Sequence, residues 1–282
     1  MSAIEHYFVP QPSRWPIVGA CGALLLAVGA ATWVNDGAKA PYVLLLGAVW
    51  LGYVLVGWFG DIISEGRAGV YNGQVERSFR VGMAWFIFSE IVVFAILFWA
   101  LLYMRFFVEH DLAAGETKAL IWPSFSGGWP ASGPGISGTF TAMSGKGIPL
   151  LNTLMLLASG GTVTLAMAAL ERNRRGLLIL CLLVTVCLGI LFLRNQASEY
   201  HHAYTAMHLT LATGAYGATF FMLTGLHGLH VAIGSMFLLV MLGRVLAGDF
   251  TAKDHLAFQA ATWYWHFVGV VWLILFVIVY WL

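Results

Sequence analysis

The residue that most invites a chemical reading is Glu90, which stands ten positions after Arg80 at the end of the apolar run Val81-Gly82-Met83-Ala84-Trp85-Phe86-Ile87-Phe88-Ser89. On a helix that offset is about 15 Å along the axis, which reaches the middle of a ~30 Å hydrocarbon layer. An ionisable side chain at that depth is costly unless it is neutral, paired or hydrated, so Glu90 points to proton-related behaviour. The alternative is a carboxyl that hydrogen-bonds neighbouring helices together.

Histidines form the second group. His227 and His230 stand three apart in Thr224-Gly225-Leu226-His227-Gly228-Leu229-His230, a spacing that puts them roughly on one helix face. Neutral imidazole is the commonest biological metal ligand. A haem in a bundle, however, draws an axial histidine from a second span, a catalytic copper wants three, and His266 is the only other clearly intramembrane candidate. The reading is therefore no metal in this chain, with His227, His230 and His266 as structural polar residues bonding between helices. His201, His202 and His208 fall with Glu199 and Tyr200 in a connecting stretch, too loosely spaced for a zinc site, and read as solvated loop residues. Cys21, Cys181 and Cys187 all sit in apolar blocks without CxxC spacing and read as small hydrophobes. No GxxxxGK[ST], GxSxG or HExxH pattern occurs, which removes support for nucleotide hydrolysis and common hydrolytic chemistry.

Charged residues gather at helix ends. Asp61 and Glu65 would face Arg77 and Arg80 if the second and third spans are neighbours, as a surface ion pair or as a site for an anionic lipid headgroup. Trp58 and Phe59, one turn deeper, would then lie along an acyl chain or form part of an interfacial aromatic belt.

The elements that must carry these residues are membrane helices. Of the 282 residues, 60% are hydrophobic and only 10% charged, with mean hydropathy +0.82, and no water-soluble domain of this size keeps its surface wet with such a composition. Seven apolar blocks reach the ~20 residues needed to span: roughly 15–34, 41–63, 79–107, 149–171, 176–200, 213–244 and 256–282. A single seven-span domain over 1–282 follows, with a Gly-, Pro- and Ser-rich loop at 108–148. The first block lacks a basic leader and a small-residue cleavage site, so it is expected to be retained. Gly160-Gly161 and the glycines at 214, 217, 225, 228 and 234 favour close helix packing. With the N-terminus inside, Arg14, Arg67, Arg77, Arg80, Arg172, Arg174, Arg175, Arg244 and Lys253 lie inside, and Lys39, Arg105, Lys118, Lys146 and Arg194 outside. That asymmetry predicts an N-in, C-out topology. The net charge of +1 and the confinement of charge between apolar blocks exclude nucleic acid as a partner.

Read in order, several segments resemble subunit III of the aa3-type cytochrome c oxidases of bacteria and mitochondria. They begin with His6-Tyr7 and Trp15-Pro16, then Trp58-Phe59-Gly60-Asp61-Ile62-Ile63-Ser64-Glu65 and Arg80-Val81-Gly82-Met83 through Ser89-Glu90. Next come Pro149-Leu150-Leu151-Asn152-Thr153, Gln196-Ala197-Ser198-Glu199-Tyr200 and Tyr216-Gly217-Ala218-Thr219-Phe220-Phe221. The run from Thr224 to His230 and Trp263-Tyr264-Trp265-His266-Phe267-Val268 complete the set.

The resemblance implies an all-α integral membrane fold in which two helices and five helices form bundles separated by a lipid-filled, V-shaped cleft. It places Glu90 at the family's carbodiimide-reactive glutamate, associated with proton uptake. It places Trp58, Glu65, Arg80, Gly82, Phe86 and Arg244 at the phospholipid. It implies a direct partner in oxidase subunit I, with subunit II and cytochrome c in the same complex, and haem a, CuA and CuB in partner subunits rather than in this chain. The complex would oxidise cytochrome c with oxygen and translocate protons, in the bacterial cytoplasmic membrane in preference to the mitochondrial inner membrane. The chain departs from the family pattern at Leu165-Ala166-Met167-Ala168, where the family has WAHH, and at Thr213, Gln259 and Gly269, where it has acids. The rivals are subunit III of a quinol oxidase or nitric-oxide reductase, and a stand-alone seven-helix transporter. A retinal pump is excluded, because no lysine lies in the last span.

Overall fold

The computed structural model describes residues 12–35, 37–136 and 139–282. The motif His6-Tyr7 and the loop residue Asp36 lie outside the described residues. The described residues are helices and connections without strands. They are α1 (Trp15–Val34), α2 (Ala40–Arg67), α3 (Gly73–Tyr103), α4 (Glu109–Leu112), α5 (Gly115–Leu120), α6 (Ile148–Glu171), α7 (Arg175–Thr205), α8 (Ala215–Ala247) and α9 (Leu256–Tyr280). A π-helical turn over Met104–Val108 fuses α3 to α4, giving one span over Gly73–Leu112. Seven helices are long and apolar enough to cross a membrane, and they match the seven expected blocks. The differences are at the ends: α2 continues through Arg67, the third span runs about five residues further at each end, and α7 extends through Thr205.

The chain divides into two compact units, Met1–Phe79 and Arg80–Leu282. In the first, α1 and α2 form an antiparallel hairpin whose contact face repeats every seven residues. Trp15, Gly22 and Gly29 are buried on α1, and Ala40, Gly47 and Val54 on α2. The small residues let the backbones approach closely. A Cβ on Gly29 would come within 2.9 Å of the Leu44 backbone nitrogen, and one on Gly47 within 2.9 Å of that of Leu26. Gly57 leaves room for the six-membered ring of Trp15, which a Cβ there would overlap.

In the second unit, α6, α7, α8 and α9 pack in ring order, α6 against α7 and α9, α8 against α7 and α9. Their core holds Val163, Leu182, Phe192, Phe220, Val231, Leu238, Trp265 and Trp272, all essentially inaccessible. The α3 segment joins this core through Phe94, Phe98 and Leu101. Residues 129–132 and 140–143 fold onto the start of α8. Carbonyls of Ala131 and Ser132 accept the N–H groups of Tyr216 and Ala215, two donors that an α-helix leaves orphaned at its N-terminus. Rings of Trp129 and Phe140 pack on Tyr216 at 5.5 and 5.4 Å, and the Met143 N–H donates to its hydroxyl.

Candidate functional site: a carboxyl and imidazole inside the bundle

Glu90 and His230 come together from α3 and α8. Glu90 Oε2 lies 2.9 Å from His230 Nε2, and His230 Nδ1 lies 2.7 Å from the Leu226 carbonyl oxygen one turn back on its own helix. The imidazole side chain is 8% exposed and the carboxyl side chain 21%. The surroundings are aromatic: Phe94 stands edge-on to the imidazole at 5.0 Å, Tyr264 stacks on it at 6.3 Å, and Phe267 stands edge-on to it at 6.4 Å. Phe86, one turn before Glu90, stacks on Tyr264 at 6.0 Å. Of the two histidines expected on one face, only His230 turns to α3. His227 points into the four-helix core, wholly buried between Phe192 and Trp272 at 5.6 and 5.1 Å, with no partner for either ring nitrogen among the described residues.

His266 lies on the outer side of α9 and reaches Thr164 Oγ1 at 3.1 Å. The Thr164 hydroxyl donates to the Gly160 carbonyl, so His266 Nε2 must be the donor to it. The same device recurs twice along α6 and α9. Ser159 donates to the Leu156 carbonyl and accepts the Trp265 indole N–H at 3.0 Å; Thr153 donates to the Pro149 carbonyl and accepts the Trp272 indole N–H at 2.9 Å. Three hydroxyls on α6 therefore each join a backbone carbonyl of α6 to an N–H on α9. Beside His266 a groove of about 530 Å³ runs between the two helices, lined by Gly160, Gly161, Thr164, Leu165 and Gly269 among others.

A carboxyl more deeply buried than Glu90 lies on α7. Glu199 and Tyr200 end the expected span 176–200 and adjoin the histidines of the connecting stretch; α7 runs through all of these but His208, and Glu199 is only 2% exposed. Its Oε1 accepts the Tyr280 hydroxyl of α9 at 2.8 Å. Tyr200 shares a hydrogen bond with Thr224 Oγ1 at 2.6 Å, and Gln196 Nε2 donates to the Thr224 carbonyl at 2.6 Å. The periodic signal was present, because Phe192, Gln196 and Glu199 share one face; the polar cluster that follows concealed it. His201 and His202 are likewise on the last turn of α7, exposed, and His208 follows in a left-handed conformation (φ 50°). Among the described residues no three His, Cys, Asp or Glu side chains gather in a way that could hold a metal ion.

The residues expected at phospholipid divide between the two units. In the hairpin, Trp58 is exposed, whereas Glu65 accepts the Tyr71 hydroxyl at 2.7 Å, and Tyr71 packs edge-on against Phe79. Burial first, then the Glu65 carboxylate, pushes the Tyr71 phenol well above its ordinary value. Asp61, expected to face an arginine, instead accepts the Trp15 indole N–H at 2.6 Å. In the second unit Arg80, Gly82 and Phe86 are exposed. Arg244 lies beside Asp249 (Nε to Oδ2, 3.1 Å), with its guanidinium 4.5 Å above the ring of Phe250. Glu65 and Arg244 thus take partners close by in sequence, whereas Asp61 takes its partner from α1.

Comparison with known proteins gives the family of the chain. The family described as cytochrome c oxidase subunit III matches residues 5–282. The chain is 41% identical over 276 residues to cytochrome c oxidase subunit 3 of Pan troglodytes, and 42% identical over 276 residues to that of Pongo pygmaeus. The subunit 3 of Rattus norvegicus is 41% identical over the same length; each alignment covers 98% of this chain and 96% of the relative. With seven spanning helices and a match over nearly its whole length, the chain is a multi-pass membrane protein that belongs to the cytochrome c oxidase subunit III family.

Proposed function

We propose that this chain is the non-catalytic subunit III of a proton-pumping cytochrome c oxidase of a bacterial cytoplasmic membrane. It would pack directly on subunit I, within a complex that also holds subunit II and receives electrons from cytochrome c, while haem a, CuA and CuB reside in the partner subunits. The observation that carries this reading is the conjunction of a full-length family match with a mid-span carboxyl held by an imidazole, Glu90 to His230 at 2.9 Å. Glu90 is the group through which the chain would support proton uptake; an intramembrane carboxyl with a partner is kept for function more often than for packing. Phospholipid would contact Trp58 and Glu65 on the hairpin, and Arg80, Gly82, Phe86 and Arg244 on the second unit, by headgroup charge and by aromatic contact with acyl chains.

Purification through an affinity tag on this chain tests the reading. Larger subunits carrying haem a should co-purify and oxidise cytochrome c. A colourless monomer with transport activity of its own would sink it, and a haem complex oxidising quinol or reducing nitric oxide would move it to the neighbouring families. In the intact complex, Glu90→Gln should leave assembly unchanged and abolish carbodiimide labelling of this subunit; persistent labelling would place the reactive carboxyl elsewhere.

A further inference from the structure

We infer that Glu90 and His230 together bind one exchangeable proton between Glu90 Oε2 and His230 Nε2, and that the Leu226 carbonyl enforces this. A carbonyl oxygen only accepts, so the 2.7 Å contact from His230 Nδ1 to Leu226 requires a proton on Nδ1. In neutral imidazole one nitrogen is protonated, and Nε2 is then an acceptor. An ionised carboxylate is also acceptor-only. Two acceptors cannot sit 2.9 Å apart in a hydrogen bond, so the contact to Glu90 Oε2 requires a proton on one of the two atoms. Either Glu90 is a neutral acid donating to Nε2, or His230 is an imidazolium donating to the carboxylate. The two forms differ only in which end of the bond carries the proton, and the pair is electrically neutral in both.

The surroundings suit a neutral unit. Phe94, Phe267 and Tyr264 cover the imidazole; Tyr264 is the titratable side chain that packs on it from α9, and His227, one turn back on α8, faces the bundle core. No cation or second carboxylate makes an ion pair with either member among the described residues. Removing the shared proton would leave two lone pairs facing at hydrogen-bond distance, so proton loss is coupled to withdrawal of the Glu90 carboxylate from His230. The carboxyl is the more exposed member, so it is the one with room to move. His230 is thereby a positioning residue that sets the protonation of Glu90, and Leu226 fixes its tautomer. The oxidase reading is not needed for this inference, and haem content and turnover report on that reading separately.

The experiment is infrared spectroscopy of the intact, tag-purified complex, with ring-15N histidine and with Glu90→Gln and His230→Asn as references. The expected result is one of two spectra. In the first, a carboxylic acid C=O band shifts in D2O, disappears completely in Glu90→Gln and changes frequency in His230→Asn. In the second, a Glu90 carboxylate band accompanies an imidazolium signal lost in His230→Asn. An ionised Glu90 beside a neutral His230 overturns the inference, as does a neutral His230 protonated at Nε2. Raising the pH until the shared proton leaves should change the His230 ring signal at the same point; loss of the acid band with an unaltered ring signal overturns the coupling. Should Glu90→Gln fail to assemble, the wild-type complex against His230→Asn still separates neutral Nδ1–H imidazole and imidazolium from the overturning Nε2–H form.

Discussion

Two antiparallel helix pairs in this molecule solve the same problem in opposite ways. In α1–α2 the contact face is made of Gly22, Gly29, Ala40 and Gly47, and the backbones come within van der Waals reach of one another. In α6–α9 larger side chains hold the helices, and the join is a ladder of indole and imidazole N–H groups donating to Thr153, Ser159 and Thr164. Within lipid there is no hydrophobic force between apolar helices, so association comes from close packing or from hydrogen bonds. The hairpin uses mainly the first and the α6–α9 pair mainly the second. The hairpin does have two indole bonds, Trp50 to the Val18 carbonyl and Trp15 to Asp61, but neither acceptor is a hydroxyl bound back to its own helix. The α6 hydroxyls cost little to bury, because each has already given its proton to a carbonyl and offers only a lone pair.

The sharpest way to break this contrast is to change volume in the hairpin. Gly47→Leu forces α2 away from the Leu26 backbone and should cost about 3 kcal/mol, the upper range for overpacking a tight contact. A lowered thermal unfolding midpoint of the purified protein would report it; an unchanged midpoint would show that the hairpin is not closely packed. Five residues on, Gly52 has nothing among the described residues within 4 Å of an added Cβ. Gly52→Ala should be neutral or stabilise by about 0.5–1 kcal/mol through helix propensity, and a loss as large as that of Gly47→Leu would refute the assignment of faces.

Chemistry, rather than volume, should break α6–α9. Ser159→Ala leaves the Trp265 N–H buried without an acceptor, for a cost of about 1–3 kcal/mol. Trp265→Phe in the Ser159→Ala background should cost less than in the wild type, because the bond is already gone, and the coupling should be about 0.6 kcal/mol, the average for hydrogen bonds between membrane helices. Additive effects in this double-mutant cycle would show that packing alone holds the pair.

How much of this was legible beforehand depends on the kind of signal. The spans were legible because hydrocarbon thickness imposes a length on any apolar block, and Glu90 was legible because one acid interrupts such a block. The α1–α2 face was present as the seven-residue spacing of Gly22 and Gly29, but glycine is common in membrane helices and its partner face shows only in three dimensions. Glu199 was obscured because it falls at the polar end of the 176–200 span and groups with the histidines that follow, whereas the burial of Glu199 and Tyr200 comes from Tyr280 and Thr224 on other helices. The ladder was illegible for a related reason, since Ser and Thr in a membrane span ordinarily bond their own backbone and give no sign that the remaining lone pair serves a neighbour. His230 was singled out, but its spacing from His227 suggested a shared face, whereas helix geometry sent one ring to α3 and the other to the core.

The smallest effect concerns charge at the helix ends. Arg244 and Arg80 looked equivalent in sequence, both basic and both expected at phospholipid. The structure separates them. Arg244 is tied to Asp249 at 3.1 Å and lies over Phe250, while Arg80 is exposed. A guanidinium already facing a carboxylate offers a lipid phosphate less uncompensated charge than an exposed one, so part of its contribution goes to the turn after α8. Arg244→Gln should therefore cost at most about 1 kcal/mol of stability, within the range of ion pairs that retain contact with solvent. It should also release less anionic phospholipid than Arg80→Gln, as counted by mass spectrometry of extracted lipid per complex. Asp249→Asn sharpens the comparison: freeing the Arg244 charge should raise anionic lipid retention, and that gain should vanish in the double variant with Arg244→Gln. Equal lipid loss from Arg80→Gln and Arg244→Gln, with no gain in Asp249→Asn, would show that the local pairing does not decide where the lipid charge is held.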